Sequence, residues 1–198
     1  GTLMFEYKGK IIHVDPVSRE ADYGKMPKAD LILVTHAHSD HLDKRAIGQI
    51  RREDTRIILD QESAAKLNEG TVMANGDVHT VLGLTIEAIP AYNTTENRQR
   101  FHPQGRDNGY LISFGDKRVY VAGDTENHPQ MMALRQIDIA FLPMNQPYTM
   151  TPEQVAAATV AIRPKVLYPY HYGNTDPNRL IELLQGIAGV EVRIRKLE

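Results

Sequence analysis

Three histidines and an aspartate fall within six residues of this chain, in Thr35-His36-Ala37-His38-Ser39-Asp40-His41-Leu42, directly after the apolar run Leu31-Ile32-Leu33-Val34. Side chains two apart in an extended segment point to the same side, so His36 and His38 can close on one metal ion. If the chain then turns into a helix, Asp40 and His41 swing toward a second ion nearby. Imidazole nitrogen combined with carboxylate oxygen suits Zn²⁺ first, with Mn²⁺ or Fe as alternatives. The competing reading is a polar strand end with incidental histidines, but a cluster this dense is hard to explain as packing. The sequence has eight histidines and no cysteine. That removes disulfides, thiolate nucleophiles, Fe–S clusters and Cys-ligated zinc, and leaves His with Asp or Glu to carry any soft-metal chemistry.

Elements that would position this cluster are legible around it. The run Leu31–Val34 is continuously apolar, as expected of a strand covered on both faces. Leu3–Tyr7 and Lys10–Val14 meet at Lys8-Gly9 and predict a hairpin. Further strands are predicted at 56–59, 80–82 with 84–89, 110–114, 118–122, 137–142, 165–168 and 190–194. Short amphipathic helices are predicted at 44–51 and 62–67. The best-signalled helix follows Thr151, with Pro152 at its first position and Glu153-Gln154 completing a capping box, and runs to Ile162. A last helix over 178–184 stops near Gly186. Strands dominate early and βα alternation dominates late. The longest polar stretch, Asn93–Asn108, is read either as a functional loop or as a mobile surface loop.

The 198 residues are 41% apolar and 24% charged with a net charge of −2, which suits one domain spanning 1–198 with a substantial core. No repeat, low-complexity segment or linker interrupts it. The near-neutral balance argues against long nucleic acid held on a broad basic surface. No apolar stretch approaches the roughly 20 residues of a transmembrane segment, and no signal peptide is visible. The expectation is a soluble protein. It would be cytoplasmic, or periplasmic if a signal peptide was trimmed ahead of the abrupt Gly1-Thr2 start. A homo-oligomer is compatible with the sequence.

The pattern His36-x-His38-x-Asp40-His41 at a strand end resembles the signature of the metallo-β-lactamase superfamily, and the likeness continues downstream. Gly123-Asp124-Thr125 follows a strand, as does that family's metal-bridging aspartate. The segment Tyr168-Pro169-Tyr170-His171-Tyr172-Gly173 resembles the one carrying its last histidine ligand. Val14-Asp15-Pro16 resembles the early Asp-Pro whose carboxylate braces the metal loop. The resemblance spans about Asp15 to His171 and implies an α/β (α+β) fold, a four-layer αββα sandwich with the metals at one edge. The run Tyr120–Thr125, followed by Ile137-Asp138-Ile139-Ala140 and Leu142-Pro143, is similar to the compact group that holds ascorbate-6-phosphate lactonase and many uncharacterised metal-dependent hydrolases.

On that pattern a third histidine of the first metal site is expected near Ala91-Tyr92-Asn93, where this sequence has Asn93, a poor zinc ligand. We assign the place to His102, in Arg100-Phe101-His102-Pro103, against the alternative of a surface-loop histidine. The resemblance then implies two divalent ions. His36, His38 and His102 hold the first, Asp40, His41 and His171 hold the second, and Asp124 bridges them. A metal-bridged hydroxide attacks a carbonyl or phosphorus. Asp40 and Asp124 are the catalytic carboxylates, Asp40 also orienting the water or receiving its proton. Asp15 and Thr125 orient ligands from behind. His13, His79 and His128 read as structural or surface residues, with His128 nearest to a proposed ligand.

Arg98, Arg100 and Arg106 are candidates to recognise a phosphate or carboxylate, against the alternative of solvated loop charges. Tyr148 and Tyr172 flank the site loops and are candidates for substrate contact. The leading expectation is a dinuclear hydrolase acting on a small anionic ester, lactone or phosphoester. The alternatives are a phosphodiesterase of nucleotide or phospholipid type, and a non-catalytic metal- or ligand-binding protein on the same scaffold.

Overall fold

The computed structural model describes residues 1–197, among which twelve strands and five α-helices are formed. The sequence predicts one domain; the contacts of the chain gather into two compact units, Gly1–Ala74 and the residues from Asn75 onward. Each unit is built on its own sheet.

In the first unit, β1 (Leu3–Tyr7) and β2 (Lys10–Val14) pair antiparallel, Tyr7 opposite Lys10. Lys8 and Gly9 both have positive φ, as a two-residue hairpin turn requires. β3 (Leu31–Leu33) and β4 (Arg56–Leu59) continue parallel to β2, and the short β5 (Thr71–Val72) closes the order β1-β2-β3-β4-β5. All of β3 is buried, which is why it reads as an unbroken apolar run. Helices α1 (Lys44–Ile50) and α2 (Gln61–Leu67) start where Asp43 and Asp60 accept the first backbone N–H groups. Ala46, Ile47 and Ile50 of α1 pack with Ile32, Val34, Leu59 and Tyr23. Two-residue β5 is exposed and carries no apolar pattern that a sequence could show.

In the second unit, β6 (Val78–Val81), β7 (Leu84–Ala91), β8 (Asp107–Phe114) and β9 (Lys117–Val121) form an antiparallel meander. From β9 the sheet turns parallel, through β10 (Ile139–Pro143), β11 (Val166–Tyr170) and β12 (Glu191–Val192). Parallel neighbours need crossovers, and helices supply each one. They are α3 (Pro129–Met132), α4 (Pro152–Ile162) and α5 (Asn178–Leu183). The capping box predicted at Thr151 and Gln154 forms in full, and Val155, Ala158 and Ile162 bury against Leu142 and Leu167. Burial of each large side chain contributes about 1.5–3 kcal/mol.

This is the mixed α/β class the sequence predicts, with strands early and βα alternation late. Among the described residues no helix is long and apolar enough to cross a membrane. Parallel strands collect the chemistry at their carboxyl ends: Asp15 after β2 and His36 after β3 in one unit, Asp124 after β9 and His171 after β11 in the other.

Candidate metal centre

The first unit gathers its donors around one buried carboxylate. Asp15 follows β2 with φ +47°, a left-handed conformation that a non-glycine residue adopts at a cost. Its carboxylate accepts from the Thr35 N–H and hydroxyl, both at 2.7 Å, and from His41 Nδ1 at 2.8 Å. Because the single Thr35 hydroxyl proton goes to Asp15, Thr35 Oγ1 is left to accept from His36 Nδ1 at 3.0 Å. His36 and His41 therefore carry their protons on Nδ1 and present Nε2 as a lone pair.

The two-apart spacing expected of His36 and His38 holds: Nε2 of the first lies 3.1 Å from Nδ1 of the second. Two imidazole nitrogens this close must share a proton or a cation. The chain then folds back in a turn, with the His41 and Leu42 N–H groups donating to the His38 carbonyl. Helix α1 itself starts only at Lys44. That turn sets the His41 ring 4.0 Å from the His36 ring, tilted by 41°, and brings Asp40 Oδ2 to 3.9 Å from His41 Nε2.

The second unit repeats the device. His102 is buried in the loop between β7 and β8, and its Nδ1 lies 2.9 Å from Asp107 Oδ2. Asp107, also buried, is gripped by Arg106 through Nε at 2.6 Å and Nη2 at 2.9 Å. His102 Nε2 lies 3.6 Å from Asp124 Oδ2, and His171 Nδ1 lies 2.8 Å from Asp124 Oδ1. His171, like Asp15, sits in the left-handed region, at φ +45°. Gly109 of β8 lets the strand approach Asp124's own segment: a Cβ there would stand 2.6 Å from the Ala122 carbonyl oxygen.

Asn93, standing where the resemblance implies a histidine, is turned to structural work. Its Nδ2 donates to the carbonyls of Arg98 and Tyr148, and its N–H donates to that of His102. It thus fixes the loop from which His102 reaches Asp124.

Other expected site residues are placed differently. Arg98 pairs with Glu126 at 3.1 Å and Arg106 with Asp107, so both guanidinium groups are committed to internal carboxylates. Arg100 lies over the Phe101 ring at 4.8 Å, and Tyr148, exposed, meets the same ring edge-on at 5.0 Å. The hydroxyl of Thr125 accepts from the Tyr92 N–H and faces the carbonyls of Tyr92 and Glu126. Tyr172 is buried and donates to the Arg195 carbonyl. His13 Nε2 donates to the Pro27 carbonyl at 3.1 Å, and His79 lies in β6. His128 caps α3, accepting from the Met131 N–H, and stacks on Tyr92 at 4.4 Å.

Sequence reading missed Asp107 and Glu126. Glu126 is buried where five groups donate to it, from Thr94, Thr95 and Arg98. Burial pushes its carboxyl up, but the Thr95 and Thr94 hydrogen bonds outweigh this and leave it below the usual range. Asp107 is a charge opening the otherwise apolar β8, which was its available signal, whereas Glu126 lies in the polar run after β9.

The chemistry of these donors fits a divalent ion: four imidazoles with Nδ1 fixed on an oxygen and Nε2 left as the ligand atom, beside carboxylates.

Comparison with known proteins agrees. The pattern of the beta-lactamase superfamily domain matches residues 1–171. A metal-dependent hydrolase of Geobacillus sp. is 31% identical over 204 residues, covering 93% of this chain and 89% of the relative. One of Ligilactobacillus salivarius is 33% identical over 182 residues, covering 85% and 80%. Among solved structures, a protein of Parabacteroides distasonis assigned to the metal-dependent hydrolases is 52% identical with a TM-score of 0.97, covering 100% of this chain and 90% of that one.

Proposed function

Because the chain belongs to the metallo-β-lactamase superfamily, among relatives named metal-dependent hydrolases, we propose that the donor sets of its two units act together as one two-ion hydrolytic centre. In this reading His36, His38 and His102 hold one ion, Asp40, His41 and His171 hold the other, and Asp124 is shared. The ions are Zn²⁺ in the first instance, with Mn²⁺ or Fe as alternatives.

The observation that carries the proposal is the fixed tautomer of the imidazoles. Buried carboxylates hold His41 and His102 at Nδ1, at 2.8 Å and 2.9 Å. A surface histidine has no need of such a partner, whereas a ligand histidine gains basicity and orientation from it. Bound divalent ions supply water of lowered pKa at neutral pH and polarise the electrophile. The chain's own part is to hold Nδ1 of His36, His41, His102 and His171 on an oxygen, leaving Nε2 unprotonated, and to hold Asp124 between His102 and His171. Asp40, only partly buried, takes or orients the proton of the attacking water. The substrate is a small ester, lactone or phosphoester bearing an anionic group.

The test is metal content and turnover in wild type and Asp124→Ala, with Zn²⁺ or Mn²⁺ supplied and with lactone and phosphodiester substrates run in parallel. Asp124→Ala should lose bound metal and turnover together. A wild type that binds metal yet hydrolyses no simple ester, lactone or phosphodiester would overturn the hydrolytic reading in favour of a binding protein. Preference between the two substrates separates the lactonase and phosphodiesterase readings.

A further inference from the structure

Arg98 and Arg106 are committed to Glu126 and Asp107, which leaves Arg100, over the Phe101 ring, as the loop's one arginine not paired with a carboxylate among the described residues. Cations stand elsewhere, in the first unit. A cavity of about 480 Å³ is lined by Ala37, His38, Ser39, Leu42, Lys44 and Lys66. It shares a wall, His38, with the donor cluster.

The two lysines differ in their commitments. Lys44, the exposed first residue of α1, takes no part in any hydrogen bond or ion pair among the described residues. Lys66 Nζ donates to the Ala37 carbonyl at 3.1 Å and pairs with Glu62 at 2.8 Å. An ammonium has three N–H donors, so one remains, and the Ala37 bond anchors that ammonium to the cavity wall. Glu62 offsets part of its charge, leaving Lys44 as the main uncompensated cation. Ser39 adds a hydroxyl, and Ala37 and Leu42 add apolar surface.

We propose that this cavity is the subsite for the anionic group of the substrate, a phosphate or carboxylate held by Lys44 and Lys66 beside His38. Lysine suits such a group as a mobile point charge. Its exposure makes the attraction modest and salt-sensitive. What the bound molecule is rests on the hydrolase reading above; that the cavity binds an anion does not.

The experiment titrates inorganic phosphate, and separately acetate, into the metal-loaded full chain by calorimetry at low ionic strength. Wild type is compared with Lys44→Gln and Lys44→Gln/Lys66→Gln, with metal content and melting temperature checked for each. Phosphate affinity should fall roughly threefold in the single and tenfold in the double variant, with unchanged metal content, and the difference should vanish in high salt. KM for an anionic ester should rise by a similar factor, with kcat and the KM of an uncharged ester unchanged. The tighter of phosphate and acetate names the group. Equal phosphate affinity in all three proteins, or no saturable binding by wild type, overturns the proposal. Should the double variant fail to fold, Lys44→Gln decides alone, since Lys44 makes no hydrogen bond or ion pair among the described residues. A wild type without turnover defeats the hydrolase reading while the titration still judges the cavity.

Discussion

Replacing Asp107 by Asn tests whether His102 is a metal ligand held from behind. His102 Nδ1 and Asp107 Oδ2 are 2.9 Å apart and both side chains are almost fully buried. A hydrogen bond to a charged partner is worth about 1.5–3 kcal/mol against 0.5–1.5 for a neutral one. Asn keeps an acceptor but removes the charge, a loss of about 1–1.5 kcal/mol. Arg106 loses its partner too, but with 28% of its side chain exposed water replaces much of that interaction. The expected result is metal affinity about tenfold weaker, the lower end of the range for residues that orient ligands. Asp107→Ala, which leaves the buried N–H without an acceptor, should approach a hundredfold. Chelator competition with Zn²⁺ reads the affinity directly. Melting with and without metal supplies the discriminating control, because a tenfold loss removes about 1.4 kcal/mol of metal-induced stabilisation, or roughly 3–5 °C in a chain of this size. Wild-type affinity in Asp107→Asn would refute the reasoning. So would an equal loss of melting temperature with and without metal, which marks a purely structural role.

Two further outcomes follow from the packing and the buried bases. Gly109→Ala places a Cβ 2.6 Å from one backbone oxygen and 2.9 Å from another. Neither can retreat as a flexible side chain would, so a cost of about 1–3 kcal/mol is expected, read as a melting temperature lower by several degrees; an unchanged value contradicts the close approach. Burial lowers the pKa of His128, whose neutral ring caps α3. The unfolded chain then binds the extra proton first, so its contribution is full above the ordinary histidine range near 6.5 and falls as pH drops through the lowered value. His128→Asn, which keeps a capping acceptor, should flatten the loss of stability between pH 7.5 and 5.5 in denaturant titrations. An identical slope in both proteins would rule out this contribution.

What could be read locally was read well. The Lys8-Gly9 hairpin and the Thr151–Gln154 capping box depend on residues within a few positions of each other, and both form as expected. Partners distant in sequence had a different origin. Arg98 was a candidate for an external anion, but Glu126, 28 residues away in sequence, takes its charge. Thr125, expected to orient a ligand, has its hydroxyl bonded to the backbone of Tyr92, 33 residues earlier. The 3₁₀ turn at Glu96–Arg98 and the single turn of α3 are too short for periodicity to reveal.

The sequence by itself determined the kind of chemistry open to this protein. It has no thiol, and it has histidines and aspartates at the ends of apolar runs. Residue type and strand spacing are properties of the chain alone, and they are enough to set His36 beside His38. Only the tertiary structure decided which nitrogen of His41 and of His171 faces a buried carboxylate. Asp15 meets His41 across 26 residues, and Asp124 meets His171 across 47. The proton on Nδ1 follows from whichever buried oxygen the fold brings against it, and no local pattern encodes that choice.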